Sequence, residues 1–416
     1  MQSNGERSDL LDETRLFLEE LCCDLCRFEH VSAGLTGLDV NILREFHMGR
    51  PGAFADLRVE PKGQPPYFLE VKYRYPSAQI VRHLARKYGS DCLVPLVGMR
   101  LIVVVDRSGR DDWEAVTQEI RSVVHPDLTL EFWNEETVSK LVQDRFNVTI
   151  EMQTEMSFLK VRDVINQAKA AYAFGDQLAT DPLHPLQASL LWQFGSWYLR
   201  ERRQSETLDA RAVLPPGLFS RVVVLLADLC SFSSYVRDTP DERISRQALT
   251  SFYSRARYQI INNGGMLYQF VGDEVVALYG LPGARASYVQ DALDTARALV
   301  DIGNSVSHHW QRHIDRFQTS GGVHIGMAIG DLQVVSLQPF GRTHMGVVGD
   351  VINMAARLMS AAGPSEIVVS NTLFCELNET RQAEFKEIEP VDAKNLGRIK
   401  AWQTAPAKVA GQPTAG

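Results

Sequence analysis

Apolar positions along the first 150 residues change period several times. Leu10, Leu11, Phe17, Leu18, Leu21, Cys22 and Leu25 recur at helical spacing and predict a helix over 9–28. After a glycine-rich passage, residues 54–59 and 67–73 have the composition of strands, and the turn formers of 61–66 join them as an antiparallel pair. A buried strand over 101–106, a helix from Trp113, a strand over 128–133 and a helix from Glu135 complete an α/β block spanning residues 1–150.

No strand pattern follows in the connector, residues 151–214. Phe158, Val161, Val164, Ile165 and Ala168 have helical spacing, and a second helix after Pro185 carries Leu190, Leu191, Phe194, Trp197 and Tyr198. That much aromatic surface needs a partner, either within the chain or in a second copy. The charged run 200–206 reads as a solvated helix end, and Pro215-Pro216-Gly217 opens the last domain, 215–405. There a buried strand over 221–227 precedes a helix with Phe252, Tyr253, Ala256 and Ile260. Two β-rich runs, 266–271 and 275–279, then flank Gly272-Asp273-Glu274 as a tight hairpin. Residues 323–329 alternate like a strand, 346–350 lead into a helix with Asn353 and Arg357, and 406–416 form a flexible tail.

Composition narrows the picture modestly. The 416 residues allow two or three domains, and 45% hydrophobic with 23% charged residues is ordinary for a globular protein. A net charge of −8 argues against a protein-wide phosphate-binding surface. The polar start shows no signal peptide, and the apolar run 93–105 is too short to cross a bilayer, so a cytoplasmic protein without membrane contact is expected. The six cysteines are expected to be free thiols, with Cys22, Cys23 and Cys26 as helix core rather than a metal cluster.

Two clusters carry candidate chemistry. In the first block, Asp56 and Glu70 can meet across their strand pair with Lys72 on the Glu70 face. Two carboxylates can hold a divalent cation, and a lysine beside them can activate water for phosphodiester attack. In the last domain, Asp228 ends one strand and Asp273 sits in the adjacent turn, a placement suited to magnesium or manganese. Strict alternation puts Leu267, Gln269 and Val271 on one face with Asp273, and about 13 Å of extended chain separates Gln269 from Asp273, roughly the reach from a nucleotide base to its phosphates. Asn353 and Arg357, at i and i+4, share a helix face; the amide can fix a ribose and the guanidinium can pair with a phosphate gaining charge.

Asp56 followed by Glu70-x-Lys72 resembles the restriction-endonuclease-like family, in which Glu20 on the preceding helix would supply an extra acid. Many members of that family bind nucleic acid without cutting it, so the resemblance leaves open whether this domain cuts, binds DNA or only regulates.

The order Asp228-Leu229-x-x-Phe232, Gly264-Gly265, Gly272-Asp273, Gly349-Asp350-x-x-Asn353-x-x-x-Arg357 and Lys394-Asn395 resembles the class III nucleotide cyclases over residues 218–404. The resemblance implies a ferredoxin-like α/β fold with a βαββαβ core, and a head-to-tail homodimer with its sites at the subunit interface. It also implies two Mn2+ or Mg2+ ions per site, held by Asp228 and Asp273 with the Leu229 carbonyl, and catalysis by Asn353 and Arg357 of the other subunit. Phe232, Gln269, Gly346 and Lys394 fall at its substrate-binding stations. The implied reaction is attack of the ribose 3′-oxygen on the α-phosphorus, expelling pyrophosphate.

Adenylate and guanylate cyclases read their purine with Lys and Asp or Thr, or with Glu and Cys, where this chain has Gln269 and Gly346. Departures of this kind resemble the bacterial pyrimidine cyclases of the Pycsar antiphage systems. The expected function is therefore conversion of UTP, or else CTP, to a 3′,5′-cyclic monophosphate read by a separate effector protein in antiphage defence. An adenylate cyclase with a regulatory N-terminal domain, and a metal-dependent nuclease with a cyclase-like regulatory module, are the alternatives.

Overall fold

A computed structural model describes residues 4–50, 53–106, 113–146, 155–175, 185–203, 207–239, 241–313, 321–337, 344–393 and 397–404. In chain order the first elements are α1 (Asn4–Ser32), β1 (Val40–His47), β2 (Phe54–Pro61), β3 (Tyr67–Val71), α2 (Ser77–Tyr88), β4 (Arg100–Val104), α3 (Trp113–Val123), β5 (Thr129–Trp133) and α4 (Glu135–Phe146). Four helices follow, α5 (Glu155–Phe174), α6 (Pro185–Phe194), α7 (Ser196–Arg202) and α8 (Ala210–Val213). The helix expected to run from Pro185 through Tyr198 is broken at Gly195, whose φ of 76° lies in the left-handed region that ends helices.

Contacts divide the chain into two compact units. The first holds residues 1–183 and 196–208, the second 184–195 and 209–416, so α5 and α7 belong to the first and α6 and α8 to the second.

In the first unit, the described strands form one sheet in the order β1-β2-β3-β4-β5. β1, β2 and β3 pair antiparallel, and β3, β4 and β5 pair parallel. Phe68, Ile80, Leu84, Tyr88, Leu101, Val103, Val116 and Ile120 close a core between that sheet and helices α2 and α3. Strand β1 and helix α2 were not anticipated. The buried positions of α2, Ile80, Leu84 and Tyr88, recur every four residues along one face.

The second unit continues with β6 (Gly217–Leu229), α9 (Phe232–Asp238), α10 (Glu242–Asn262), β7 (Met266–Val271), β8 (Glu274–Tyr279), α11 (Tyr288–His313), β9 (Val323–Leu337), β10 (His344–Val348) and α12 (Asp350–Ala361). It ends with β11 (Glu366–Ser370), α13 (Asn371–Glu376), α14 (Glu379–Gln382), β12 (Phe385–Ala393) and β13 (Gly397–Thr404). The described strands run β12-β13-β11-β9-β6-β8-β7, with β10 beside β9. The sequence β6-α10-β7-β8-α11-β9 with antiparallel order β9-β6-β8-β7 is the ferredoxin-like βαββαβ core.

Side-chain alternation gives this sheet two different faces. Val223, Leu225, Ala227, Val275, Ala277, Ile325 and Met327 face α10 and α11 in the core. The intervening positions face α12, which approaches so closely that a Cβ on Gly326 would lie 2.2 Å from the Ala355 carbonyl oxygen. Covered on both sides, β6 is an unbroken run of apolar residues from Val222 to Ala227.

Strict alternation fails along β7. Leu267 pairs with Ala277 but Gln269 pairs with Val276, leaving Tyr268 as an extra residue in a β-bulge. Leu267 therefore enters the core, whereas Gln269 and Val271 are exposed. The expectation that these three share one face is corrected by that single inserted residue.

Candidate active site

Strand β6 delivers Asp228 to its end, on the α12 face, directly opposite Glu274 of β8. Gly272 and Asp273 form the two-residue turn between β7 and β8, with Gly272 at φ 62° in the first central position, as type II′ hairpins require. The Tyr253 hydroxyl donates to the Gly272 carbonyl oxygen, and its ring stacks on Phe270 with centroids 3.9 Å apart. Helix α10 thus holds the turn against the sheet. The turn brings Asp273 to Asp228, and the two carboxyls share a hydrogen bond.

Burial, then the neighbouring Asp273, push Asp228 up to about 7, and burial raises Asp273 as well. Glu274 is also raised, by burial and by Asp273. Among the described residues no lysine or arginine forms an ion pair with any of these three acids. Two half-buried carboxyls with a proton between them and no cation beside them are a donor set that a divalent ion would satisfy. Leu229 follows at the strand end with its side chain buried. Among the described residues no three His, Cys, Asp or Glu side chains group as a metal site, so the set is the acid pair.

The substrate-binding candidates are placed differently from one another. Gln269 is exposed on β7, and Gly346 is buried on β10 opposite Val335. Tyr268, which sequence reasoning missed, links those strands: its phenolic oxygen accepts the Val347 backbone N–H at 3.3 Å. Nothing in an alternating pattern marks a bulged residue, so the sequence carried no signal for it. Phe232 packs its ring into the α10 and α11 core, 5.9 Å from Tyr235. Lys394 lies outside the described residues, as does the tail 406–416.

Helix α12 rests on the sheet through Val351, Ala355 and Leu358. Asn353 and Arg357 are consequently on its exposed side, one turn apart. The acid pair sits at the β6 end under the hairpin, whereas the amide and guanidinium look outward from the helix.

In the first unit, Asp56, Glu70 and Lys72 do come together. Lys72 Nζ donates to Asp56 Oδ2 at 2.9 Å and pairs with Glu70. Two residues that sequence reasoning missed join them: Lys87 Nζ lies 2.9 and 2.7 Å from the two Glu70 oxygens, and the Tyr88 hydroxyl donates to Glu70 Oε1 at 2.7 Å. The helical recurrence ending at Tyr88 was the available signal. The nearby acid on α1 is Glu19 rather than Glu20; burial pushes Glu19 up to about 7, with Arg44 beside it opposing. Cys22, Cys23 and Cys26 are free thiols buried in the core, and all described cysteines are free.

Residues 215–405 match the family model of the adenylate and guanylate cyclase catalytic domain. Among curated relatives, proteins of unassigned function from Mycobacterium tuberculosis and Mycobacterium bovis are 24% identical over 171 residues, which is 40% of this chain and 30% of theirs. The chain thus spans under a third of the length of the curated relatives it matches. Among solved structures, the adenylyl cyclase CyaB from Pseudomonas aeruginosa is 17% identical with a TM-score of 0.42, covering 47% of this chain and 98% of that one. The guanylyl cyclase Cya2 is 20% identical with a TM-score of 0.40, covering 48% and 96%. The GTP complex of the guanylate cyclase domain of RhGC from Catenaria anguillulae is 19% identical with a TM-score of 0.37, covering 46% and 100%. Among the described residues no helix is long and apolar enough to cross a membrane. The acid pair of β6 and the hairpin, and the outward amide and guanidinium of α12, all lie within residues 215–405, the stretch that matches the adenylate and guanylate cyclase catalytic domain model.

Proposed function

We propose that this domain works as a homodimer and converts a pyrimidine nucleoside triphosphate, UTP before CTP, to its 3′,5′-cyclic monophosphate and pyrophosphate. The observation that carries the cyclase reading is the hydrogen-bonded pair of Asp228 and Asp273 at the hairpin, in a domain whose Asn353 and Arg357 are exposed on α12. A second copy brings its α12 to the first copy's acids, so each pocket draws on both chains. Asp228 and Asp273 would hold the divalent ions, with the Leu229 carbonyl assisting. A bound divalent cation supplies charge neutralisation of the triphosphate and a lowered pKa for the ribose 3′-hydroxyl.

The chain's own residues do the rest. Asn353 hydrogen-bonds the ribose and holds its 3′-oxygen in line with the α-phosphorus. Arg357 donates to the α-phosphoryl oxygens as they gain charge. The O3′–Pα bond forms while the bond from Pα to the β-phosphate oxygen breaks; pyrophosphate departs with that electron pair, and the hydroxyl proton goes to water. Lys394 contacts the terminal phosphates, and the α9 backbone at Phe232 borders them.

Support for a pyrimidine comes from the base stations. Gly346 offers no side chain, and Gln269 can present either a donor or an acceptor as its amide turns. The Tyr268 hydroxyl reaches the Val347 N–H next to Gly346, so its ring stands beside both base stations, where it would favour the smaller base. The product is a messenger for a separate effector protein, in keeping with an antiphage role. Incubating the purified protein with each of the four ribonucleoside triphosphates and manganese, and resolving the products, tests the reading. A cyclic product from ATP alone would return the domain to adenylate cyclase activity.

A further inference from the structure

We propose that Lys87 holds the place of a cation between Asp56 and Glu70, so that the N-terminal unit works without a divalent metal and its acid–lysine cluster is no cleavage centre. Asp56 followed by Glu70-x-Lys72 is a pattern that invites a metal ion, and the residues around it do not fit one.

The reason is donor by donor. Glu70 Oε1 accepts from Lys87 at 2.9 Å and from the Tyr88 hydroxyl at 2.7 Å; Oε2 accepts from Lys87 at 2.7 Å and also pairs with Lys72. Asp56 Oδ2 accepts from the Val71 backbone N–H at 2.7 Å and from Lys72 at 2.9 Å, and Oδ1 faces Lys87 at 3.5 Å. A carboxylate offers about four lone-pair sites, and those of Glu70 are all taken. Hard cations bind through such oxygens at about 2.0–2.6 Å, so an ion entering here would have to displace protein donors from both acids. It would also arrive beside two ammonium groups. Two carboxylates and two ammoniums already balance in charge.

Lys87 cannot easily leave. It is in the last turn of α2, between Leu84 and Tyr88, which are fully buried, and the Tyr88 hydroxyl is itself bonded to Glu70. Glu70 is 0% exposed, so withdrawing the ammonium would leave a buried carboxylate short of a partner. The cation position is therefore fixed by the helix and its packing.

The test uses the full chain with D228N and D273N together, which silence the candidate cyclase metal site. Manganese titration followed by electron paramagnetic resonance is expected to find no site that D56N abolishes. Adding K87A is expected to create one manganese site per chain, lost again with D56N. K87Q, which keeps the stem and removes the charge, serves if K87A does not fold. An Asp56-dependent manganese site in the chain that retains Lys87, or Asp56-dependent nicking of plasmid DNA in manganese, would overturn the proposal. So would folded K87A and K87Q proteins, checked by circular dichroism, that gain no site. None of these readouts depends on cyclase turnover.

Discussion

The phenolic oxygen of Tyr268 accepts the backbone N–H of Val347 at 3.3 Å, joining the strand of Gln269 to the strand of Gly346. The bond exists because a bulge inserts Tyr268 into β7, out of step with the β8 ladder. If that ring sets the width of the base pocket, Y268A admits a second ring. The expected outcome is a fall of about tenfold or more in the ratio of kcat/KM for UTP to that for ATP. Y268F keeps the ring, loses one hydrogen bond and should shift the ratio much less. Competition assays with both triphosphates check this, and an unchanged ratio in Y268A would remove Tyr268 from substrate selection.

Asp228 and Asp273 make folding stability depend on pH in a defined direction. Burial and the neighbouring acid raise Asp228 from about 3.9 in an unfolded chain to about 7, and burial raises Asp273 too. The folded pair therefore binds more protons than the unfolded chain between those values. Its stabilising contribution is complete below pH of about 4 and is lost as pH rises through about 7. In the metal-free protein, the melting temperature of wild type minus that of D228N should fall from pH 5 to pH 8. A divalent cation competes with that proton, so saturating manganese should restore the difference at pH 8. A difference that stays flat from pH 5 to pH 8 would show that the two carboxyls do not share a site.

Much of this arrangement was legible because its signals are local. The buried strand ending in Asp228, the glycine turn carrying Asp273 and the i, i+4 pair Asn353 and Arg357 follow from periodicity and turn chemistry. The antiparallel pairing that brings Asp56 to Lys72 and Glu70 was legible for the same reason. What was missed depends on contacts across the sequence. One residue inserted at Tyr268 turned Leu267 inward and Gln269 outward, and a bulge has no signature in alternation. Lys87 reaches Glu70 from a helix 17 residues further on, and only the packing of α2 shows that it does. Phe232 matched a motif station, but its ring belongs to the core.

The seating of α12 rests on absent side chains. A Cβ at Gly326 would lie 2.2 Å from both the Ala355 carbonyl oxygen and the Met359 nitrogen, backbone atoms that can yield only if the helix moves. G326A should destabilise the second unit by about 3 kcal/mol, the upper range for overpacking. Because Asn353 and Arg357 ride on the same helix, turnover should fall well beyond the folded fraction lost. By contrast, G330A meets only the Val351 side chain, at 3.2 Å, and should cost about 1 kcal/mol. Urea unfolding with activity measured below the transition separates the two variants. Equal effects would mean that α12 is not held at Gly326.

The proposed sharing of a pocket between two copies can be tested by mixing two chains that it predicts to be inactive. D273A removes an acid and R357A removes the guanidinium, so each homodimer has two crippled pockets. In a heterodimer of the two, one pocket collects both defects and the other collects neither. Random exchange makes about half of all dimers mixed, each with one working pocket of two, so turnover should return to about a quarter of wild type. The recovery must depend on time and concentration, as subunit exchange does, and must be absent when D273A is mixed with D228A, whose lesions fall in the same pocket half. Full activity in either homodimer, or no recovery in a mixture shown to exchange subunits, would mean that Asp273 and Arg357 do not serve one pocket shared by two chains.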